Sequence, residues 1–181
     1  MYFKKMVGKK CFLSPMDVND VEKFTEWLND LEVISNLSIY NSILNTETEK
    51  EILVKLSKEH NYSIIDISTN ELIGSCGFMD IDYLNQTSET GIFIGNKNYW
   101  NKGYGTEALM LLLDYGFKAL NLKNIMLKVY SFNVRAIRSY EKIGFNIIGR
   151  RREALSGNKT YDILYMDILY NEFYKLNKIN E

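Results

Sequence analysis

The stretch WNKGYGTEALMLLLDYGF, residues 100–117, sets two glycines, Gly103 and Gly105, directly ahead of an apolar run with helical spacing. Glycine lets the main chain take a positive φ and approach a ligand closely. The first amides of a helix have no internal partner, and the helix dipole favours an anion beside them. The main-chain N–H groups of Lys102, Gly103, Tyr104, Gly105 and Thr106 can therefore wrap a diphosphate, with the Thr106 hydroxyl as a further donor.

Three readings compete for this loop. The glycines can simply form a turn that opens a helix. GYGTEA also fits the G-x-G-x-x-A pattern of a dinucleotide site. That site needs its glycines directly after a strand and an acidic residue about 20 positions on. Here residues 96–100 separate strand from loop, and residues 123–140 contain no Asp or Glu. A nucleoside-triphosphate loop fails too, because no G-K-[ST] follows at the right spacing. The third reading is the diphosphate of coenzyme A.

Working outward, ETGIFIG (residues 89–95) reads as a strand, and residues 62–67 and 72–80 as an antiparallel pair around the turn 68–71. Residues 11–13 form a short first strand stopped by Ser14 and Pro15. Asp17 caps a helix to about Asn29, whose Val18, Val21, Phe24 and Leu28 recur at helical spacing. Thr46 is the expected cap of a second helix carrying Ile52, Leu53 and Leu56. After the glycine loop come a helix over residues 103–120 stopped by Asn121, a strand over 125–130, a helix over 133–143 ended by Gly144, and strands over 145–149 and 161–169. The order predicts a mixed α+β fold: a central, mostly antiparallel sheet with helices on both faces. A single domain over residues 1–181, with its core at about 11–171, is expected.

Composition narrows the function. Lys+Arg 22 against Asp+Glu 23 gives a net charge of -1, which speaks against sequence-independent nucleic-acid binding. Cys11 and Cys76 lie far apart and His60 is the sole histidine, so no Cys/His metal site is expected. The N-terminus holds no apolar segment of signal-peptide length, and residues 108–113, the densest apolar run, are far short of the roughly 20 residues of a membrane span. A cytoplasmic protein with no membrane or nucleic-acid partner is expected, and a homodimer is the assembly left open.

Downstream stands NVRAIRSYEKIGF, residues 133–145. Together with ETGIFIG and WNKGYGTEAL it resembles the GNAT superfamily of acetyltransferases, and within it the branch of ribosomal-protein N-terminal acetyltransferases and spermidine acetyltransferases. The resemblance runs over about residues 11–171. It implies a GNAT fold and acetyl-CoA as cosubstrate, with no metal. The amides around Lys102, Gly103, Tyr104, Gly105 and Thr106 would bind the pyrophosphate. Main-chain groups of Ile92, Phe93 and Ile94 would pair, strand-like, with the pantetheine arm, and one of their amides would polarise the thioester carbonyl. Asn133 would hydrogen-bond the cofactor, and Tyr140 would protonate the departing sulfur. Trp100 stands where many members carry Arg or Gln, which reads as a mark of the branch. Asn101 replaces a common glycine and constrains the loop.

The chemistry has its own requirements. An aliphatic amine is protonated at neutral pH, so a base must take its proton. Glu89, at the head of the strand, is the candidate general base; the competing reading is a solvated Glu on an edge strand. A fixed main-chain amide can stabilise the tetrahedral oxyanion. The leaving thiol has a pKa of about 8.5 by analogy with cysteine, so a tyrosine proton helps it depart. Direct transfer needs no acyl-enzyme. Cys76 reads as buried packing, His60 as a cap or surface residue, and Arg150, Arg151 and Arg152 as a solvated strand end or else a contact for the cofactor's 3′-phosphate or for an acidic partner.

Acceptor choice is expected to reside in the first two helices, residues 31–45, and the turn at 156–160. Asp30, Glu32, Asp80, Asp82 and Glu89 can attract a cationic amine, and Tyr40, Tyr83 and Tyr161 are candidate pocket residues. A protein N-terminal α-amine is the first expectation, with a polyamine or amino sugar next. The rivals from other classes are a non-catalytic acyl-CoA-binding module and, further off, a nucleotide-binding oxidoreductase.

Overall fold

The computed structural model describes residues 1–37, 44–156 and 159–177. The chain forms two compact units: Met1–Phe78 with Ile92–Leu112, and Met79–Gly91 with Leu113–Glu181. Among the described residues, eight strands hydrogen-bond in the order β1-β2-β3-β4-β5-β6-β8-β7, and six α-helices accompany them. β1/β2, β2/β3, β3/β4, β6/β8 and β7/β8 pair antiparallel and β5/β6 pairs parallel, so the mixed, mostly antiparallel sheet is as the sequence predicts.

The first unit holds β1 (Met6–Val7), β2 (Cys11–Pro15), β3 (Asn61–Asp66), α1 (Val21–Asn29), α2 (Leu31–Ile34) and α3 (Thr46–Leu56). It also takes the start of β4 (Leu72–Asp82), the end of β5 (Thr87–Ile94) and the start of α4 (Tyr104–Lys118). Its core gathers Phe12, Met16, Phe24, Trp27, Val33 and Leu53. Phe24, Trp27 and Phe93 meet edge to face at 5.7, 6.1 and 6.3 Å, an arrangement that suits the ring quadrupoles. A Cβ at Gly95 would run into the Trp27 ring, so that glycine is demanded by packing.

Local chemistry shifts several boundaries from the sequence reading. Asp17 does cap, but it accepts the Asn19 amide at 3.0 Å to open a 3-10 turn ahead of α1. Asn45, not Thr46, caps α3, accepting the Thr48 amide at 2.8 Å. Ser14 and Pro15 remain inside β2, paired with Ser63 and Tyr62. Short β1 and α2 carry too few residues for a periodic signal.

The second unit holds the rest of β4, β5 and α4, then β6 (Asn124–Tyr130), α5 (Val134–Ile143), β7 (Asn146–Ser156), β8 (Lys159–Leu169) and α6 (Tyr170–Asn177). Asn121 at φ 56° and Gly144 at φ 118° end α4 and α5 where the sequence places them. Helix α6 docks through Phe173 on Phe117 at 5.4 Å and through Tyr174, whose hydroxyl donates to Asp114 at 2.9 Å. Strand β7 runs well past residue 149 because β8 pairs it as far as Ser156, with register shifts at Ile147/Gly149 and Arg151/Ala154. Arg150, Arg151 and Arg152 thus lie exposed within a strand rather than at its end, and Arg150 meets Asp162 at 3.3 Å. Tyr40, part of the 31–45 segment and part of the 156–160 turn fall outside the described residues.

Candidate functional site

The glycine loop begins where β5 ends. A 3-10 turn, Lys97–Tyr99, is capped by Asn96, whose side chain accepts the Asn98 amide at 3.0 Å. The Trp100 indole then donates to the Ile94 carbonyl at 2.7 Å, tying the loop back to the strand. The residue that departs from the common family pattern is therefore a brace. Asn101 (φ 58°) and Gly103 (φ 83°) both take left-handed backbone, where asparagine is the best tolerated residue after glycine. Gly105 does not take it, and a Cβ there would meet only Ile94 and Ile92 side-chain tips at 3.7 and 3.9 Å. Backbone freedom is thus needed at Gly103, not at Gly105, contrary to the simple reading of the two glycines as equivalent.

The first helical hydrogen bond of α4 runs from the Glu107 amide to the Gly103 carbonyl at 3.1 Å. The amides of Tyr104, Gly105 and Thr106 stand ahead of it, at the positive end of a 15-residue helix. Side chains on the far side hold this mouth. Tyr104 donates to Asp66 at 2.8 Å, and Ser68 and Thr69 hydroxyls donate to the same carboxylate at 2.6 and 2.7 Å. Burial raises the Asp66 carboxyl, but these hydrogen bonds outweigh it and hold it down at about 2. Burial, then the Asp66 hydrogen bond, push the Tyr104 hydroxyl up to about 12. The Glu107 carboxylate accepts the main-chain amides of Lys10 at 2.6 Å and Cys11 at 3.1 Å. Glu107 and Asp66 play parts that the sequence reading did not assign. The signal available for Glu107 is an acidic residue in the first helical turn; for Asp66 it is the Asp-x-Ser-Thr turn that its carboxylate closes, while its bond to Tyr104 joins residues 38 positions apart.

Ile92, Phe93 and Ile94 close β5 beside this loop. The parallel ladder of β5 with β6 pairs Thr87, Ser88 and Glu89 with Asn124, Ile125 and Met126.

In the second unit, Glu89 lies on an interior strand, not an edge strand, with an 18% exposed side chain. It pairs with Lys128 at 2.7 Å, and that bond raises the lysine's pKa. Asn133 is the N-cap of α5: its side-chain oxygen accepts the Ala136 amide at 3.1 Å, which leaves the side-chain NH2 as its donor group. Tyr140 sits in the last turn of α5, partly buried, 5.9 Å from the Phe145 ring. Burial pushes its hydroxyl up to about 12, so it keeps its proton at neutral pH.

The candidate acceptor carboxylates are largely engaged. Asp30 and Glu32 both hold the Lys97 ammonium, at 2.8 Å each. Asp82 accepts the amides of Leu84 and Asn85 in its own turn, both at 2.9 Å. Tyr83 is exposed, and the Tyr161 ring lies 4.3 Å from Phe132. Both cysteines are free and buried, and burial raises both thiols, Cys11 to about 12. His60 lies past the end of α3 and its carbonyl accepts the Phe78 amide at 2.9 Å. Among the described residues, no group of His, Cys, Asp and Glu is placed to hold a metal ion, and no helix is long and apolar enough to cross a membrane.

Comparison with known proteins bears out the class that the sequence resembles, an acetyl-CoA-dependent N-acetyltransferase. A family model described as an acetyltransferase (GNAT) domain matches residues 10–146, and the chain belongs to that family. It is 30% identical over 167 residues to an uncharacterized N-acetyltransferase, p20, of Bacillus licheniformis, covering 89% of this chain and 93% of that one. It is 31% identical over 130 residues to the spermidine N(1)-acetyltransferase of Escherichia coli (strain K12), covering 66% and 69%. Among solved structures, the spermidine N-acetyltransferase from Vibrio cholerae, in complex with CoA and spermine, has a TM-score of 0.82 at 23% identity, covering 92% of this chain and 99% of that one. That likeness fixes the fold.

Proposed function

We propose that the main-chain amides of Lys102, Gly103, Tyr104, Gly105 and Thr106 cradle the diphosphate of acetyl-CoA, and that the acetyl group passes directly to a primary amine. The observation that carries this reading is the braced loop: Gly103 in left-handed backbone at the positive end of α4, held by Trp100, Tyr104 and Glu107. The CoA held by the Vibrio cholerae neighbour supports it. Main-chain groups of Ile92, Phe93 and Ile94, at the end of β5 ahead of the loop, are the proposed strand-like partners of the pantetheine arm. The side-chain NH2 of Asn133 is its donor to the cofactor.

Tyr140 is the proposed general acid. A hydroxyl with a pKa of about 12 stays protonated until the thiolate forms, then gives up its proton as the sulfur leaves. Glu89 is the proposed general base, acting on the amine directly or through water. Its carboxylate meets the Lys128 ammonium at 2.7 Å, which fixes its place on the strand. A main-chain amide near the end of β5 steadies the oxyanion.

For the acceptor, a protein N-terminal α-amine is the reading drawn from the sequence branch. A polyamine is the second, favoured by the 31% identical spermidine acetyltransferase. A thiol-release screen with acetyl-CoA and peptides of varied N-termini, polyamines, amino sugars and amino acids tests both. Turnover of one class identifies the acceptor, whereas no thiol release with any amine favours a non-catalytic acyl-CoA-binding module.

A further inference from the structure

We infer that Lys10, on the turn between β1 and β2, is a positioning residue for the phosphate loop. The inference rests on the reading of that loop as a diphosphate site. Lys10 lies 92 positions before Lys102, yet its ammonium donates to the Lys102 carbonyl at 2.6 Å. The peptide between Lys102 and Gly103 is trans, so its C=O and N–H point in opposite directions. A carbonyl held toward Lys10 therefore aims the Gly103 N–H the other way.

That choice has to be enforced, because glycine occupies left- and right-handed backbone about equally and its flanking peptide turns over easily. Gly103 sits at φ 83°, and the Lys10 ammonium is 3.4 Å from where its Cβ would be. Lys10 is itself pinned at both main-chain groups. Its amide donates to Glu107 at 2.6 Å, and its carbonyl accepts the Ile67 amide at 2.9 Å. Gly8, at the head of the same turn, has no room for a side chain, since a Cβ would collide with the Glu107 carboxylate. Fixed in this way, the lysine selects one orientation of the loop peptide and brings a positive charge to it.

The test uses the full chain with Lys10→Met and Lys10→Arg. Acetyl-CoA affinity is read by calorimetry, and inorganic diphosphate is titrated as a competitor. A charge-assisted hydrogen bond lost from the loop is expected to weaken acetyl-CoA about tenfold in Lys10→Met. The inhibition constant of diphosphate is expected to rise by a similar factor, while Lys10→Arg stays within about threefold of wild type. Unchanged acetyl-CoA affinity in Lys10→Met overturns the inference. So does a weakened affinity with unchanged diphosphate competition, or one accompanied by an equal loss in Lys10→Arg, because either marks general damage to the fold. If wild type binds neither acetyl-CoA nor diphosphate, the reading of the loop falls as well.

Discussion

The role proposed for Tyr140 rests on its motif and its surroundings. It is one of 13 tyrosines, and composition alone would leave it in the core. Burial at the last turn of α5 raises its hydroxyl to about 12, so it is protonated at neutral pH. Tyr140→Phe is expected to cut turnover by roughly 10²–10⁴-fold with acetyl-CoA affinity unchanged, and steady-state kinetics with a calorimetric titration checks both halves. Glu49 illustrates a different use of burial. Its side chain is 1% exposed and burial pushes its carboxyl up to about 7. The unfolded chain ionises Glu49 first as pH rises, at about 4.3. Stability is therefore highest below that value and is lost as pH climbs toward about 7, a swing on the order of 3 kcal/mol. Glu49→Gln removes the loss, so its urea midpoint should gain on wild type between about pH 5 and about pH 8. A constant difference across that range would show that Glu49 ionises normally.

At the scale of elements, the start of α4 is the decisive piece, and its two glycines are unequal. Gly103→Ala forces an L side chain into left-handed backbone, at a cost of about 1 kcal/mol or more, and is expected to weaken acetyl-CoA binding. Gly105→Val meets no backbone strain and acts only by filling space near the ligand, so a calorimetric comparison separates the two effects. Glu107→Ala leaves the Lys10 and Cys11 amides without their acceptor, and a loss of about 1–3 kcal/mol in a urea melt is expected. Most elements were legible because their signals are local: the apolar spacing of α4, Gly144 after α5, Asn121 after α4, and the turn between β3 and β4. Strand β7 was read too short because its far half is stabilised by β8 through bulges, which leave no alternation to see. Asn45 was passed over for Thr46 because both residues can cap and only backbone geometry chooses. In the candidate site, the start of α4 just after Gly103 was legible from the glycines. The bonds of Asp66 to Tyr104, Glu107 to Lys10 and Lys10 to Lys102 were not, since they join residues tens of positions apart.

For the molecule as a whole, the family model spans residues 10–146 and so draws on segments of both compact units. A ligand bound to the native chain alone stabilises it by mass action. Acetyl-CoA at 100 times its dissociation constant is expected to add about 2.7 kcal/mol. For a chain of this length that raises the melting temperature by roughly 5–10 °C. Inorganic diphosphate should act in the same direction and more weakly, because it lacks the pantetheine contacts. The most direct measurement is a crystal structure of the chain grown with acetyl-CoA. The account predicts diphosphate oxygens within hydrogen-bonding distance of the main-chain amides of residues 102–106. Cofactor density elsewhere, with that helix mouth holding only water, would contradict it.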